Sequence, residues 1–421
     1  MNLFIVGGGA REHTIAWKLA QSPRTGNIFV APGNAGTGQI AENIPVEASD
    51  IEGLMQAIAE RDVQLVVVGP EIPLSKGLVD RLMKKGMAVF GPTGSAAQIE
   101  ASKAFSKDFM SRHRIPSAGS RTFSDYNEAR SYIESSAFPL VIKADGLSQG
   151  KGVIIAAKME EAVSALDSIM LQKKFGDAGN SVIIEEFLSG RELSAFTFTD
   201  SHFVSPLVTA CDYKRIYDGN LGPNTGGMGS YSPPEFYTPV MGNQIYNTIM
   251  YPVIQNMRKE NRPYKGVLYG GLMLTHDGPK VLEFNARFGD PETQVILPRL
   301  ENDLLDVMLA ITSASLKQVH VEWSNKSCVG VVMASGGYPG KYQTGYPISG
   351  LDDVDHDIMV FHAGTKLNSQ GKVVTDGGRV LTVVATGNSI EEARSRVYDN
   401  IVRISFKDCY YRKDIALVSQ T

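Results

Sequence analysis

Between Leu3 and Phe90 four short apolar runs, Leu3 to Val6, Asn27 to Val30, Leu65 to Val68 and Met87 to Phe90, alternate with stretches of helical spacing. Each run gives way to glycine or proline, the usual end of a buried strand. Helices are expected over about Arg11 to Leu19, Ile51 to Arg61 and Leu74 to Lys85. Strands separated by helices favour a parallel, doubly wound sheet, because parallel neighbours need a crossover long enough to hold a helix. Such sheets bind ligands at the carboxyl ends of their strands. Here those ends are Gly7-Gly8-Gly9-Ala10-Arg11, Ala31-Pro32-Gly33-Asn34 and Gly69-Pro70-Glu71, which should form one rim.

Three glycines opening a helix suggest a dinucleotide site, and with it a nicotinamide-dependent oxidoreductase. Glu12 occupies the place of the last glycine in G-x-G-x-x-G, so the motif is incomplete. A phosphate held by backbone N-H groups and Arg11 is the alternative, and a plain helix-packing turn is equally compatible.

From Ser102 the pattern changes. A helix carrying Lys103 and Lys107 leads to Phe138 to Ile155, which reads as strand, glycine-rich loop, strand. A P-loop joins a strand to a helix, so the Walker description does not apply. Gly146, Gly150 and Gly152 would let backbone approach a polyphosphate, and Lys143 and Lys151 add point charges. A helix over about Glu160 to Leu171 and a buried strand from Val182 to Ile184 follow. Glu185-Glu186-Phe187-Leu188 would lie where that strand emerges and could offer backbone groups to an adenine edge, with Glu192 in reach of ribose hydroxyls. Plain surface carboxylates are the other reading.

Thr209 to Pro234 is rich in glycine and charge and shows no strand or helix pattern. A long functional loop is therefore expected. A helix over Tyr237 to Arg258 and strands near Gly266 to Thr275 and Lys280 to Asn285 come next. Alternation in the last strand would turn Leu282 and Phe284 to one face and Glu283 and Asn285 to the other. Arg287, Asp290 and Glu292 then crowd a turn marked by Gly289 and Pro291. Glu, Asn, Arg and Asp at one strand end suit a hard cation such as Mg²⁺ bridging to phosphate, although a solvated polar turn has the same composition. Beyond a helix at Asn302 to Ser313, strands at Ser327 to Ala334, Ile358 to His362 and Arg379 to Thr386 and a helix at Ile390 to Val402 form a smaller module.

Composition narrows the partners. A net charge of −4 leaves no electrostatic footprint for nucleic acid or an anionic membrane, and no apolar run approaches a membrane span. Cys211, Cys328 and Cys409 lack metal-ligand spacing and fit a reducing compartment, so a cytoplasmic protein is expected. The seven histidines form no close pair in sequence and read as structural.

The order of these motifs resembles the ATP-grasp ligases. More narrowly, Arg11-Glu12-His13, Gly69-Pro70-Glu71, Asp212-Tyr213-Lys214-Arg215, Pro223 to Gly229 and Asn285 to Glu292 are similar to the phosphoribosylamine-glycine ligase family over nearly the whole chain. The resemblance implies a multidomain α/β and α+β protein. Its parts would be a Rossmann-like doubly wound domain (1–101), a central ATP-grasp domain (102–325) with a mobile lid at about 120–190, and a small C-terminal α/β module (326–421). It implies ATP-dependent joining of glycine to 5-phosphoribosylamine through an acyl phosphate, in purine biosynthesis. Mg²⁺, or Mn²⁺ in its place, would be held by Glu283 and Asn285. Lys103, Lys143, Gly150 and Lys151 would meet the ATP phosphates, and Glu185, Glu186, Leu188 and Glu192 would surround adenosine.

Gly9, Arg11, Glu71, Asp212, Lys214, Arg215, Asn224, Thr225, Gly226, Gly227, Met228, Gly229, Arg287, Asp290 and Glu292 would shape the substrate end. Arg287, Asp290 and Lys214 are the candidates for catalysis, and Asp212 or Asp290 for taking the amine proton. Three departures from the family pattern stand out: Ala10 after Gly9, Asn220 where Asp is usual, and no carboxylate in Gly270 to Thr275. A different ATP-grasp carboxylate-amine ligase is the nearest rival, and a nucleotide sensor without turnover a more distant one. Neither a single copy nor a homodimer is favoured by the sequence.

Overall fold

The computed structural model describes residues 1–147 and 152–417. The expected loop residues Gly150 and Lys151 lie outside them. The N-terminal part contains β1 (Leu3–Gly7), α1 (Ala10–Leu19), β2 (Ile28–Pro32), β3 (Glu42–Asn43), α2 (Ile51–Ala59), β4 (Leu65–Val68), α3 (Glu71–Ser75), α4 (Leu78–Lys84), β5 (Ala88–Phe90) and α5 (Gly94–Ala101). Its five strands are all parallel, in the order β3-β2-β1-β4-β5. The runs are apolar throughout because both faces are covered: Phe4 and Val6 enter one core, Leu3 and Ile5 the other. The single helix expected over Leu74 to Lys85 is two, because the chain turns at Gly77 with φ +75°, a conformation that suits only glycine well.

A second lobe follows α6 (Lys103–Arg112): β6 (Ser120–Phe123), α7 (Tyr126–Glu134), β7 (Leu140–Ala144), β8 (Val153–Ala156), α8 (Met159–Leu166) and β9 (Val182–Glu186). Its four strands form their own sheet, β6-β9-β7-β8, over their own apolar core. β7 and β8 are an antiparallel pair, as the strand-loop-strand reading requires.

The largest sheet has eight strands. It draws on β10 (Arg191–Thr199), β11 (Val208–Asp212) and, past the small hairpin of β12 (Arg215–Tyr217) and β13 (Leu221–Asn224), on β14 (Gly229–Ser232). The expected long loop is thus largely strand. Its glycines and charges mask the pattern, because Ser230 and Ser232 are buried polar residues whose hydroxyls donate to the carbonyls of Cys211 and Thr209. The helix expected over Tyr237 to Arg258 is α9 (Pro239–Ile245), a π-turn at Tyr246–Met250, and α10 (Tyr251–Lys259). Pro252 cannot donate to the carbonyl four residues back, and the widened turn accommodates it.

β15 (Gly266–Thr275) and β16 (Gly278–Asn285) complete one edge. After α11 (Thr293–Ile296) and α12 (Leu304–Thr312) come β17 (Ser327–Ala334), β18 (Met359–His362), β19 (Thr365–Leu367), β20 (Val373–Thr375), β21 (Arg379–Gly387) and α13 (Ile390–Ile401). The sheet order is β16-β15-β10-β11-β14-β17-β21-β18, so β17, β21 and β18 continue the central sheet, while β19 and β20 pair as a separate hairpin.

Candidate active site

The strand-end rim is real and is stitched by Glu12. Its carboxylate accepts from Gly9 N at 2.7 Å and from Arg11 Nε at 2.6 Å, while Arg11 Nη1 donates to Phe288 O at 3.1 Å. Glu12 lies so close over Gly69 that a Cβ there would sit 2.1 Å from its Oε1, so only glycine fits. This rim, α6, β7, β9, β16, the 338–342 loop and Arg379 enclose a cavity of about 630 Å³, within the roughly 300–1,000 Å³ usual for small-molecule sites.

At one end the cavity is cationic. Lys143 Nζ lies 3.0 Å from Glu185 Oε1, and Lys107 Nζ 2.9 Å from Glu185 Oε2, with all three side chains buried. Lys103 Nζ donates to Gly146 O at 2.9 Å. Asp145, at the end of β7, accepts from Ser102 Oγ and Ala104 N, both at 3.1 Å, and so fastens the loop base to the start of α6. β16 carries a bulge: Gly271 pairs with Glu283 and Leu272 with Val281, leaving Leu282 as the extra residue. The expected alternation therefore fails at one position. Val281 and Phe284 join the core, Leu282 lines the cavity, and its carbonyl accepts from Lys143 Nζ at 3.2 Å. Glu283 and Asn285 both open into the cavity. Burial pushes the Glu283 carboxyl up, but Lys103, Lys143, Lys214 and Arg287 together hold it below the usual carboxylate range.

The other end is a mesh of carboxylates and arginines. Arg287 Nη2 meets Glu100 Oε1 at 2.7 Å, and its Nε lies 3.4 Å from Glu71 Oε2. Asp290 Oδ2 accepts from Arg379 Nη2 at 2.9 Å and its Oδ1 from Gln294 Nε2 at 2.8 Å. Burial raises the Asp290 carboxyl, but Arg379 and Arg11 bring it below the ordinary value. Asp212 is the opposite case. Burial lifts it to about 7 against the pull of Lys214, whose ammonium lies 3.6 Å away and also pairs with Glu192. Glu292 accepts from Tyr269 Oη at 2.6 Å.

Arg11, Glu71, Lys103, Lys143, Glu185, Asp212, Lys214 and Asn224 line the cavity, as do Thr225, Gly226, Glu283, Asn285, Arg287, Asp290 and Glu292. Others named from sequence do not. Glu186 accepts from Gly119 N at 2.9 Å, Leu188 is buried, and Glu192 faces Lys214 from the side. Arg215 Nη1 donates to Gly222 O within the hairpin. Gly9 caps α1, Gly227 packs on Pro291, Met228 sits in a small core with Ile216 and Ala334, and Gly229 is buried in β14. Sequence reasoning missed Glu100, Lys107, Tyr338 and Arg379 as cavity residues. Lys107 stands one helical turn from Lys103, which was a usable signal. The others arrive from distant segments and carry no motif.

A parallel N-terminal sheet whose rim faces the lysines of α6 and β7 and a Glu/Asn strand end is the arrangement of an ATP-grasp enzyme. Protein-family profiles described as phosphoribosylglycinamide synthetase match in three consecutive parts: the N domain over residues 1–100, the ATP-grasp (A) domain over 101–293 and the C domain over 328–418. The chain belongs to this family and is an ATP-dependent ligase. It is 46% identical to the phosphoribosylamine-glycine ligase of Halalkalibacterium halodurans, over 99% of this chain and 96% of that one. It is 48% identical to that of Pseudomonas aeruginosa, covering 99% and 97%. The solved phosphoribosylamine-glycine ligase of Thermotoga maritima superposes with a TM-score of 0.87 at 35% identity, covering 99% of this chain and 100% of that one. Biotin carboxylase from Campylobacter jejuni shares the fold at 11% identity, with a TM-score of 0.74 and coverage of 99% and 94%.

Among the described residues no group of three or more His, Cys, Asp or Glu gathers to hold a metal. Glu283 and Asn285 alone are too few for a protein-only site. They fit Mg²⁺, which keeps waters and is commonly held by one or two carboxylates together with substrate phosphates.

Proposed function

We propose that this cavity joins glycine to 5-phosphoribosylamine with conversion of ATP to ADP and phosphate, divided between its two ends. Lys103 and Lys143 hold the ATP phosphates, a role the family resemblance also gives Gly150 and Lys151, which lie outside the described residues. Glu185 at the cavity wall, with Glu186, Leu188 and Glu192 just beyond it, frames adenosine where the chain leaves β9. Glu283 and Asn285 hold Mg²⁺, or Mn²⁺ in its place, which when bound neutralises phosphate charge. The 120–190 lobe acts as the lid, a reading supported by its separate sheet and core.

The chemistry follows from the charges. A glycine carboxylate oxygen attacks the γ-phosphorus and ADP leaves. The amine of phosphoribosylamine then attacks the carbonyl carbon of the glycyl phosphate. Phosphate departs with that carboxylate oxygen, and one amine proton is released. Positioning three anions is the main task, and the cationic end serves it. Arg287 is clasped by two carboxylates, so it acts as a fixed charge beside the transferring group. Asp290 is unsuited to take a proton, because both its oxygens are engaged and its carboxyl is held low. Asp212, raised to about 7, is the better acceptor, with Lys214 orienting it. Asn224 to Gly226 and Glu292 form the walls for glycine and the sugar.

The observation that carries this reading is the juxtaposition in one cavity of Lys103, Lys143, Glu283 and Asn285 with Asp212, Asn224 and Asp290. The catalyst works in the cytoplasm as a monomer or homodimer. The test is phosphate release from ATP with each substrate omitted in turn. Release should require both glycine and freshly generated phosphoribosylamine, and undiminished release without glycine would overturn the assignment.

A further inference from the structure

Arg379 begins β21, in the C-terminal module, yet its guanidinium reaches into the cavity wall. Its Nη1 donates to Gly226 O at 2.7 Å and to Asp290 O at 2.8 Å, and its Nη2 donates to Asp290 Oδ2 at 2.9 Å. On the other side of Gly226, the N-H donates to Tyr338 Oη at 2.9 Å. Thr225, one residue earlier, is tied to Lys214: its N and Oγ1 donate to the Lys214 carbonyl at 2.8 and 2.9 Å. Among the described residues no hydrogen bond joins the 224–227 turn directly to the 290–292 turn, so Arg379 is the hydrogen-bonded link between them. One rigid planar fork fixes two carbonyls and a carboxylate at once, which a lysine ammonium cannot do with the same geometry.

We propose that Arg379 is a positioning residue for the amino-acid and sugar end of the site. It sets the separation of Asn224 to Gly226 from Asp290, and hence the fit of glycine and phosphoribosylamine, while leaving the nucleotide end alone. This rests on the division of the cavity given above. It means that the module after residue 326 completes the substrate end instead of only packing against it.

The test compares Arg379→Gln, Arg379→Lys and Gly226→Ala. The alanine Cβ would lie 3.0 Å from Arg379 Cζ, so the guanidinium must give by a few tenths of an ångström and its bonds are disturbed while the fold remains. Arg379→Gln and Arg379→Lys should raise the KM for glycine or phosphoribosylamine about tenfold to a hundredfold, the size expected for loss of charge-assisted hydrogen bonds, and Gly226→Ala should raise it by less. ADP affinity, measured by calorimetry, should stay within about twofold in all three. Arg379→Lys should rescue less than half of the KM loss on a logarithmic scale. A merely structural role would lower ADP affinity and melting temperature in step with KM. That result, or an unchanged KM in both Arg379 variants, overturns the proposal. Asn224→Ala and Asp212→Asn separate the two levels of inference. If they raise KM and Arg379→Gln does not, Arg379 alone is misassigned; if they too leave KM unchanged, the substrate end itself is.

Discussion

Glu185 is the residue whose replacement should cost most for the least change in shape. Its carboxylate sits between Lys107 at 2.9 Å and Lys143 at 3.0 Å, and the side-chain exposures of the three are 2%, 5% and 7%. Glu185→Gln keeps the volume and removes the charge, leaving two buried ammoniums without the carboxylate they share. Breaking a buried pair from one side costs about 3–5 kcal/mol, because the remaining charge stays desolvated. Burial already pulls Lys107 below the ordinary lysine value, with Glu185 as its main support. The variant should therefore unfold with that loss in urea titrations monitored by intrinsic fluorescence. ADP should narrow the gap between variant and wild type, since its phosphates would give Lys143 a new counter-charge and ligand binding adds to stability by linkage. Adding Lys107→Met to Glu185→Gln should recover roughly half of the loss, because one of the two stranded charges is gone. A single variant within about 1 kcal/mol of wild type without nucleotide would refute the reasoning, since that is the range of an exposed pair.

Two further outcomes follow from burial. Asp212, lifted to about 7 by desolvation, should give an acid limb in the pH profile of kcat/KM, which reports the free enzyme: the rate rises as pH passes through about 7 and Asp212 loses its proton. Asp212→Asn should abolish both the limb and most turnover, and an unshifted limb in that variant would assign it elsewhere. His13 and His362 touch across the N-terminal rim and β18, where His362 N donates to His13 Nδ1 at 2.9 Å and burial holds the two rings at about 3 and about 4. Between those values and the ordinary histidine range only the unfolded chain binds the protons, so stability should be full above about pH 6.5 and fall as pH drops toward 4. Urea midpoints at pH 7.5 and 5 should show this drop, and it should shrink in His362→Gln.

How far the sequence could be read depended on whether a signal was local. The strand runs of the N-terminal sheet were legible because burial on both faces leaves an unbroken apolar stretch, and Leu65 to Val68 matches its strand end to end. Lys143 and Glu283 were legible because each sits in a compact motif. Ser230 and Ser232 hid strand β14, since a buried polar residue that bonds to a neighbouring strand looks like loop in sequence. The bulge hid the place of Leu282 alone: as the extra residue it lines the cavity, while Glu283, Phe284 and Asn285 take the faces their alternation implied. Glu100, Arg379 and the His13–His362 contact were out of reach altogether: each depends on segments far apart in the chain, and no spacing rule spans them. Asn220 shows what local reading could still flag. Its side chain accepts from the buried Arg412 at 3.1 Å, so the amide oxygen serves as an acceptor there.

The division of the cavity into a metal-nucleotide end and a substrate end is tested most directly by ADP binding with and without Mg²⁺, measured calorimetrically in the wild type and in Glu283→Gln. Mg²⁺ should tighten ADP binding to the wild type. In Glu283→Gln that tightening should disappear, while metal-free ADP affinity and the melting temperature stay close to wild type. An equal Mg²⁺ effect in both proteins would contradict the assignment of Glu283, and with it the two-ended site.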